Sequence, residues 1–185
     1  MEIIAGLVRP DDCFWDIGAH RGYVTLLAAQ RTRGLIYACE PSRLNQWYLH
    51  KHIEWNRMDN VQVLPHAISR QDGQSSFGGG NSSRAFRLGV GDEIVTVRSL
   101  ASLIERDGCT PPTYLKVDAE FAEADILVGA GTCLRDPHLL IVLGTHSGEI
   151  HERCVSILRE NGLQVVEAHN VARAQAMGWR GVPKG

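Results

Sequence analysis

The sequence predicts a single α/β domain, residues 1–185, in which helices cover both faces of a doubly wound, mainly parallel sheet. Short apolar runs of strand length alternate with amphipathic stretches of helical spacing, which is the pattern of strands and helices in such a sheet. The chain has 185 residues, of which 44% are hydrophobic and 22% charged, as is usual for one globular domain.

The predicted elements follow one another with short connections. The apolar runs that predict strands are residues 13–17, 35–39, 61–64, 94–97, 114–118 and 139–143. The stretches that predict helices are residues 22–30, 43–56, 99–106, 122–130 and 150–160. Asn161 and Gly162 end the last helix with a favourable C-cap pair.

Two segments depart from this alternation. Residues 73–91 are rich in Gly and Ser, with the tip GGGNSS at 78–83, and they predict a hairpin or a mobile flap rather than a helix. Residues 170–185 are predicted to be a partly loose tail. We expect the substrate contacts to come from these two segments.

The net charge and the cysteines indicate which partners and which cellular compartment to expect. The formal net charge is -2, so no basic excess is present to neutralise phosphates, and we do not expect nucleic acid as a partner. The five cysteines form no CxxC pair and no zinc-binding spacing, so we expect no metal site. No apolar run approaches the ~18 residues of a membrane span. Unpaired cysteines without a signal peptide indicate a reducing compartment, and we expect a cytoplasmic protein.

The segment DIGAHRG, residues 16–22, is the sharpest local signal because it follows a strand and opens a helix. Gly18 can adopt a backbone conformation closed to other residues, and together with Ala19 it lets a ligand lie against the main chain. Gly22 would let the next helix pack closely. Such a loop also occurs as a plain tight turn, so this segment alone leaves both interpretations open.

Glu40 supports a ligand-binding interpretation. It ends the second predicted strand, about 22 residues after Gly18, where a carboxylate reaches a ribose bound at the glycine loop of a parallel sheet. The alternative is an acid at a helix start, since Pro41 and Ser42 follow directly.

Asp16 discriminates between cofactors. Dinucleotide sites have the pattern GxGxxG, whose glycines admit a pyrophosphate, whereas this chain has Asp16 two residues before Gly18. A carboxylate would repel a pyrophosphate but could approach an ammonium or sulfonium centre. The loop therefore favours S-adenosylmethionine over NAD as cofactor.

The chain resembles the FkbM-type S-adenosylmethionine-dependent methyltransferases in five segments that occur in the order of the family. They are FWDIGAHRGYVTLLA at 14–28, YACEPS at 37–42, VQVLPHAIS at 61–69, YLKVDAEFAEADILVGA at 114–130 and LLIVLGTH at 139–146. The resemblance implies a Rossmann-like class I methyltransferase fold with S-adenosylmethionine as cofactor. It also implies a small-molecule acceptor, a hydroxyl group of a sugar or secondary metabolite.

The resemblance also implies a set of cofactor-binding residues. The loop, the ribose-binding acid with the proline after it, the adenine-lining pair and the acid beside the methyl group correspond to Asp16, Gly18, Ala19, Gly22, Glu40, Pro41, His66, Ala67 and Asp118. Candidate bases for removing the acceptor proton are Asp118, Glu120 and His146. Alternatively, Glu120 stabilises a helix N-terminus and His146 caps the next helix.

Three positions depart from the family pattern. Phe121 replaces a glycine, Ala101 an aspartate, and Gly144 a glutamate. The phenyl ring of Phe121 is predicted to fill space for the acceptor and to slow turnover. Two functions therefore stay open, an O-methyltransferase and a cofactor-binding domain with weak or no activity. Trp15, Trp47, Tyr48 and Trp55 are predicted to pack in the core rather than to form an aromatic ligand cage.

Overall fold

The computed structural model describes residues 6–79 and 86–166. The strands, in chain order, are β1 (Phe14–Ile17), β2 (Ile36–Cys39), β3 (Val61–Leu64), β4 (Ala67–Ile68), β5 (Gly73–Gly78), β6 (Arg87–Leu88), β7 (Glu93–Arg98), β8 (Tyr114–Val117) and β9 (Leu140–Leu143). The helices are α1 (Tyr23–Ala29), α2 (Arg43–Trp55), α3 (Leu100–Glu105), α4 (Glu123–Gly129) and α5 (Gly148–Glu160), and a short 3-10 helix covers Gly131–Arg135.

The main sheet has five strands in the order β3-β2-β1-β8-β9. All four of its strand pairs are parallel. Every residue of β1, β2 and β8 is buried, because helices cover both faces of a parallel sheet. The charged residues in these three strands are Asp16 and Lys116. The predicted parallel α/β fold is confirmed, and the five strands lie where the apolar runs predict them.

Alternation along β1 divides the core into two layers, since successive side chains of a strand point to opposite faces. Trp15 and Ile17 pack with the buried residues of α3, α4 and α5 on one face. Phe14 packs with Val24 and Ala28 of α1 on the other face. The sheet thus lies between two helical layers, as a doubly wound fold requires.

The longer helices begin at hydroxyl N-caps, which satisfy backbone N–H groups that have no partner within the helix. Ser42 Oγ accepts from the backbone N–H of Asn45 at the start of α2, and Ser147 Oγ accepts from that of Ile150 at the start of α5. Every helix within the described ranges is too short or too polar to cross a lipid bilayer.

A second, smaller sheet lies between β3 and β8 in the chain, with the order β4-β7-β5-β6. Its strands β5 and β6 pair in antiparallel fashion, with Phe77 opposite Leu88, which agrees with the hairpin, one of the two expectations for residues 73–91. Most of the GGGNSS tip and the predicted tail lie outside the described residues.

The prediction that the aromatic residues of α2 pack in the core is wrong for two of them. Trp47 is 55% exposed and Trp55 is 69% exposed. The buried residues of α2 are Asn45 and Leu49, so the helix meets the sheet along a narrow stripe and the two indole rings lie outside it. Trp15 of β1, in contrast, is fully buried against Tyr37.

Candidate functional site

A cleft of about 870 Å³ lies at the carboxyl ends of the central strands, where doubly wound folds bind their ligands. It is of the size that small-molecule sites usually have. Of the residues predicted for cofactor binding or catalysis, those that line the cleft are Gly18, Ala19, Glu40, Pro41, His66, Ala67, Asp118, Glu120 and His146. Asp16 and Gly22 are not among the lining residues.

The two glycines of the loop serve close packing between chain segments. Gly18 has a φ of 76°, and a Cβ there would lie 2.2 Å from the carbonyl oxygen of Asp118. Gly22 has a φ of 90°, and a Cβ there would lie 2.4 Å from Leu49 Cδ1. Gly22 therefore allows α2 to approach the loop, whereas the sequence predicted close packing of the helix that the loop opens, α1. Gly18 brings the loop after β1 against the loop after β8.

The interpretation that the Asp16 carboxylate approaches a cationic ligand does not fit the structure. Asp16 is fully buried, because the alternation of β1 directs its side chain towards α1. Its carboxylate accepts a hydrogen bond from Thr25 Oγ1 at 2.6 Å and lies 2.8 Å from Lys116 Nζ. The acid is thus neutralised inside the protein rather than facing the cleft.

Lys116 is a residue of the site that the sequence reasoning missed. Its ammonium group is buried, and it donates to the carbonyl oxygens of Ile17 at 3.2 Å and Gly18 at 3.0 Å. It therefore holds the backbone at the start of the glycine loop while it pairs with Asp16. The available signal was a lysine inside the apolar run YLKV, where a charged residue requires a partner.

Glu40 joins the glycine loop to the start of α2. One carboxylate oxygen, Oε2, accepts the backbone N–H of His20 at 2.8 Å. The other, Oε1, accepts the backbone N–H of Ser42 at 2.9 Å and the side-chain amide of Asn45 at 3.3 Å. Burial raises the pKa of Glu40, although these three donors oppose the increase. The carboxylate both supports the local backbone and borders the cleft.

His66 and Ala67 border the cleft after β3. His66 Nδ1 is buried and has no hydrogen-bond partner among the described residues. Burial lowers the pKa of His66, and the positive charge of Arg98 lowers it further. The part of the ring that borders the cleft suits contact with a heteroaromatic ring such as adenine, because a neutral imidazole is itself flat and aromatic.

The three candidate bases come together at one end of the cleft. His146 Nε2 lies 3.4 Å from Glu120 Oε1 and 3.8 Å from Asp118 Oδ1. On the other side of the ring, Nδ1 is hydrogen-bonded to Glu123 Oε1. Burial lowers the pKa of His146, but the hydrogen bond and the three carboxylates outweigh burial, so the net pKa is raised.

Glu123 is a second residue that the sequence reasoning missed. It lies in the first turn of α4 and is fully buried. Its Oε2 atom has no hydrogen-bond partner within the described part of the chain. From the sequence alone it looks like an ordinary first-turn acid, which favours the helix dipole at the surface.

The positions that depart from the family pattern have different surroundings. Phe121 has a φ of 64° and is 48% exposed. Its ring centroid lies 5.9 Å from that of His146, and Arg87 Cζ lies 5.3 Å from it on the ring face. The ring does not line the cleft itself but contacts two residues that do, His146 and Arg87, so the obstruction of the acceptor stays a prediction. Gly144 borders Asp118, with a built Cβ 3.2 Å from Oδ1, whereas Ala101 neighbours Gly131 away from the cleft.

No group of three or more His, Cys, Asp or Glu side chains within residues 6–79 and 86–166 is arranged to hold a metal ion.

The sheet order and the position of the cleft agree with the class I methyltransferase fold, which several similar solved structures share. An FkbM methyltransferase from Methylobacillus flagellatus is 17% identical, with a TM-score of 0.64 over 83% of this chain and 39% of that chain. A candidate methyltransferase from Streptococcus mutans, solved with S-adenosylhomocysteine, is 10% identical, with a TM-score of 0.55 over 91% of this chain and 88% of its own.

The chain belongs to the FkbM methyltransferase family, because the model of the Methyltransferase FkbM domain matches residues 16–165. It spans 39% of the length of the Methylobacillus protein. A candidate rRNA-methylase from Clostridium thermocellum also shares the fold, at 11% identity and a TM-score of 0.52 over 85% of this chain and 75% of that one. None of the curated proteins matches the chain at a significant level.

Proposed function

We propose that this methyltransferase binds S-adenosylmethionine in the cleft and methylates a hydroxyl group of a small molecule, such as a sugar or a secondary metabolite. The observation that carries the proposal is the position of Glu40, whose buried carboxylate borders the cleft directly beside the glycine loop. A carboxylate there suits the two hydroxyls of a ribose.

The other residues of the cleft fit the same cofactor. His66 and Ala67 border the cleft, where the imidazole ring suits contact with an adenine ring. Asp118 and Glu120 supply negative charge at the other end of the cleft, which favours the positive sulfonium centre of the bound cofactor. The cofactor would supply an electrophilic methyl group, and no residue of this chain needs to form a covalent bond with it.

The acid and imidazole cluster suits a hydroxyl acceptor. When the acceptor oxygen forms its bond to the methyl carbon and the carbon–sulfur bond breaks, the hydroxyl proton must leave. We expect His146 Nε2 to take this proton, because the nearby carboxylates of Glu120 and Asp118 would balance the imidazolium that forms. The role of His146 as base requires the neutral ring, so transfer is expected to speed up as pH rises through its raised pKa.

Two alternatives follow from particular observations. A cofactor-binding domain with weak or no activity is favoured by the changes at Phe121 and Gly144. An RNA acceptor is suggested by the fold of the candidate rRNA-methylase, but the net charge of -2 favours a small neutral or cationic molecule. All five cysteines are free thiols, which supports a reducing compartment such as the cytoplasm.

Calorimetry and a transfer assay test the proposal. S-adenosylhomocysteine should bind with a one-to-one stoichiometry, and NAD should not bind. Transfer of a labelled methyl group should then be measured on a panel of hydroxylated small molecules and on RNA. Methyl transfer to a small molecule would support the proposal, whereas methyl transfer to RNA would show that the acceptor is RNA. Cofactor binding without transfer to any acceptor supports the silent domain, and absent binding of S-adenosylhomocysteine contradicts the proposal as a whole.

A further inference from the structure

The environment of the Glu123 carboxylate is unusual for an acid in the first turn of a helix. Its side chain is completely buried, one oxygen is hydrogen-bonded to His146 Nδ1, and the other oxygen has no partner among the described residues. Burial of an ionised carboxylate costs several kcal/mol unless it is paired. A surface acid would stabilise the N-terminus of α4 without this cost, so helix stability alone does not account for its position.

We propose that Glu123 is a positioning residue that orients the His146 ring and keeps the proton of the neutral ring on Nδ1. The catalytic part of this inference rests on the proposed function, whereas the contact between Glu123 and His146 does not depend on it. With Nδ1–H donated to Glu123, the lone pair of the neutral ring lies on Nε2, on the side of Asp118 and Glu120. The nitrogen that faces the cleft then accepts the acceptor's proton.

The alternative tautomer would remove the proposed base. A neutral ring protonated on Nε2 would present an N–H group to the cleft and a lone pair to the Glu123 carboxylate. Two lone pairs would then face each other in a buried position, which is unfavourable. The buried acid thus selects the tautomer that the proposed chemistry requires, in the way that a buried acid orients a histidine base in hydrolytic triads.

The titration of His146 depends on groups from every element packed around it. Asp118 and Glu120 come from the loop after β8, and Glu123 comes from α4. His151 of α5 is hydrogen-bonded to Thr145 Oγ1, next to His146 in the chain. Arg87 of β6 approaches from beyond the Phe121 ring. Glu123 is the acid in hydrogen-bond contact with the ring, so its charge should have the largest single effect on the titration.

Nitrogen NMR of the histidine-labelled, cofactor-free protein tests the inference without any acceptor. The His146 signals are identified by their loss in His146→Gln. In the parent we expect a titration midpoint above the ordinary histidine value and a neutral ring protonated on Nδ1. Glu123→Gln should lower the midpoint but keep this tautomer, because the Gln oxygen still accepts the Nδ1–H hydrogen bond. Glu123→Leu should lower the midpoint and shift the neutral ring towards protonation on Nε2.

Asp125→Asn is the matched control, because Asp125 lies on the same helix but its carboxylate pairs at the surface with Arg70 and Arg153. It should change neither the midpoint nor the tautomer. An unchanged midpoint in Glu123→Gln would overturn the inference, as would a neutral ring protonated on Nε2 in the parent. If Glu123→Leu does not fold, the midpoint of Glu123→Gln decides.

A binding measurement separates this inference from the proposed function. S-adenosylhomocysteine should bind the parent and Glu123→Gln equally, within about twofold, since Glu123 does not line the cleft. If neither protein binds it, the proposed function fails while the NMR result still decides the geometry. Once an acceptor is known, Glu123→Gln should lower kcat by at least about tenfold and leave the KM for the cofactor unchanged.

Discussion

Lys116 Nζ lies 2.8 Å from Asp16 Oδ1, and both side chains are buried between β1 and β8. The two residues are direct partners in the parallel register of these strands. Because the lysine also donates to the carbonyls of Ile17 and Gly18, the pair connects the centre of the sheet to the loop that begins the cleft. Loss of either side chain of this pair should therefore affect both the stability of the protein and the binding of a ligand in the cleft.

Lys116→Met should destabilise the protein by about 3–5 kcal/mol, because it leaves the Asp16 carboxylate buried without its partner. Urea unfolding measures the change. The double variant Asp16→Asn with Lys116→Met removes both charges and should be more stable than Lys116→Met alone. If the change in unfolding free energy of the double variant equals the sum of the changes in Asp16→Asn and Lys116→Met, the two side chains are not energetically coupled.

Glu40→Ala should weaken binding of S-adenosylhomocysteine by about 2–4 kcal/mol, because hydrogen bonds from the ribose to a charged group are lost. Calorimetry measures the affinity. Glu105→Ala is the control, since Glu105 is an exposed acid of α3 outside the cleft. If Glu40→Ala binds S-adenosylhomocysteine with unchanged affinity, Glu40 does not contact the ribose. The main support for the proposed cofactor is then lost.

Phe121 lies in the left-handed region with a φ of 64°, where residues with a Cβ are strained by roughly 1–2 kcal/mol relative to glycine. Phe121→Gly should therefore be more stable than Phe121→Ala by about 1 kcal/mol, or roughly 2–4 °C in Tm for a domain of this size. Both variants lose the ring, so their difference isolates the backbone. Equal Tm values would show that the backbone relaxes to another conformation.

The pH dependence of stability should report the raised pKa of His146. Burial lowers this pKa, but the hydrogen bond to Glu123 and the neighbouring carboxylates raise it by more. The folded protein thus holds a proton that the unfolded chain releases near the ordinary histidine value of about 6.5. The stabilisation is complete below that value and is lost as pH rises through the raised folded value.

His146→Gln isolates this contribution, because it removes the titrating group. As pH rises across this window, the unfolding free energy of the parent should fall relative to that of His146→Gln. Urea unfolding at several pH values measures it. A difference that is constant with pH would show that the pKa of His146 is the same in the folded and unfolded states.

The sequence alone located the main sheet and most of the cleft, because both depend on local patterns. Apolar runs mark the buried parallel strands, and the segment at 16–22 and Glu40 lie at strand ends, where the topology brings them together. The role of Asp16 was misjudged because it depends on which face of β1 the side chain occupies and on a lysine of the neighbouring strand, about 100 residues away in the chain.

Glu123 could not be recognised for a similar reason. Its burial depends on the chain after β9, which brings His146 over the start of α4. The exposure of Trp47 and Trp55 likewise depends on how little of α2 meets the sheet. The charge and hydrophobicity of a single residue do not determine such contacts, since they arise from the relative placement of distant elements.

The pairing of β1 with β8 also has a consequence for how the protein is made. Their partner residues, such as Phe14 and Tyr114, are far apart in the chain, with the second sheet and three helices made before β8. During synthesis, the glycine loop and Glu40 leave the ribosome long before Asp118 does. A nascent chain that ends before Tyr114 therefore lacks the acids and the imidazole of the cleft, Asp118, Glu120 and His146, and exposes an edge of β1, where unpaired backbone groups favour association with other chains.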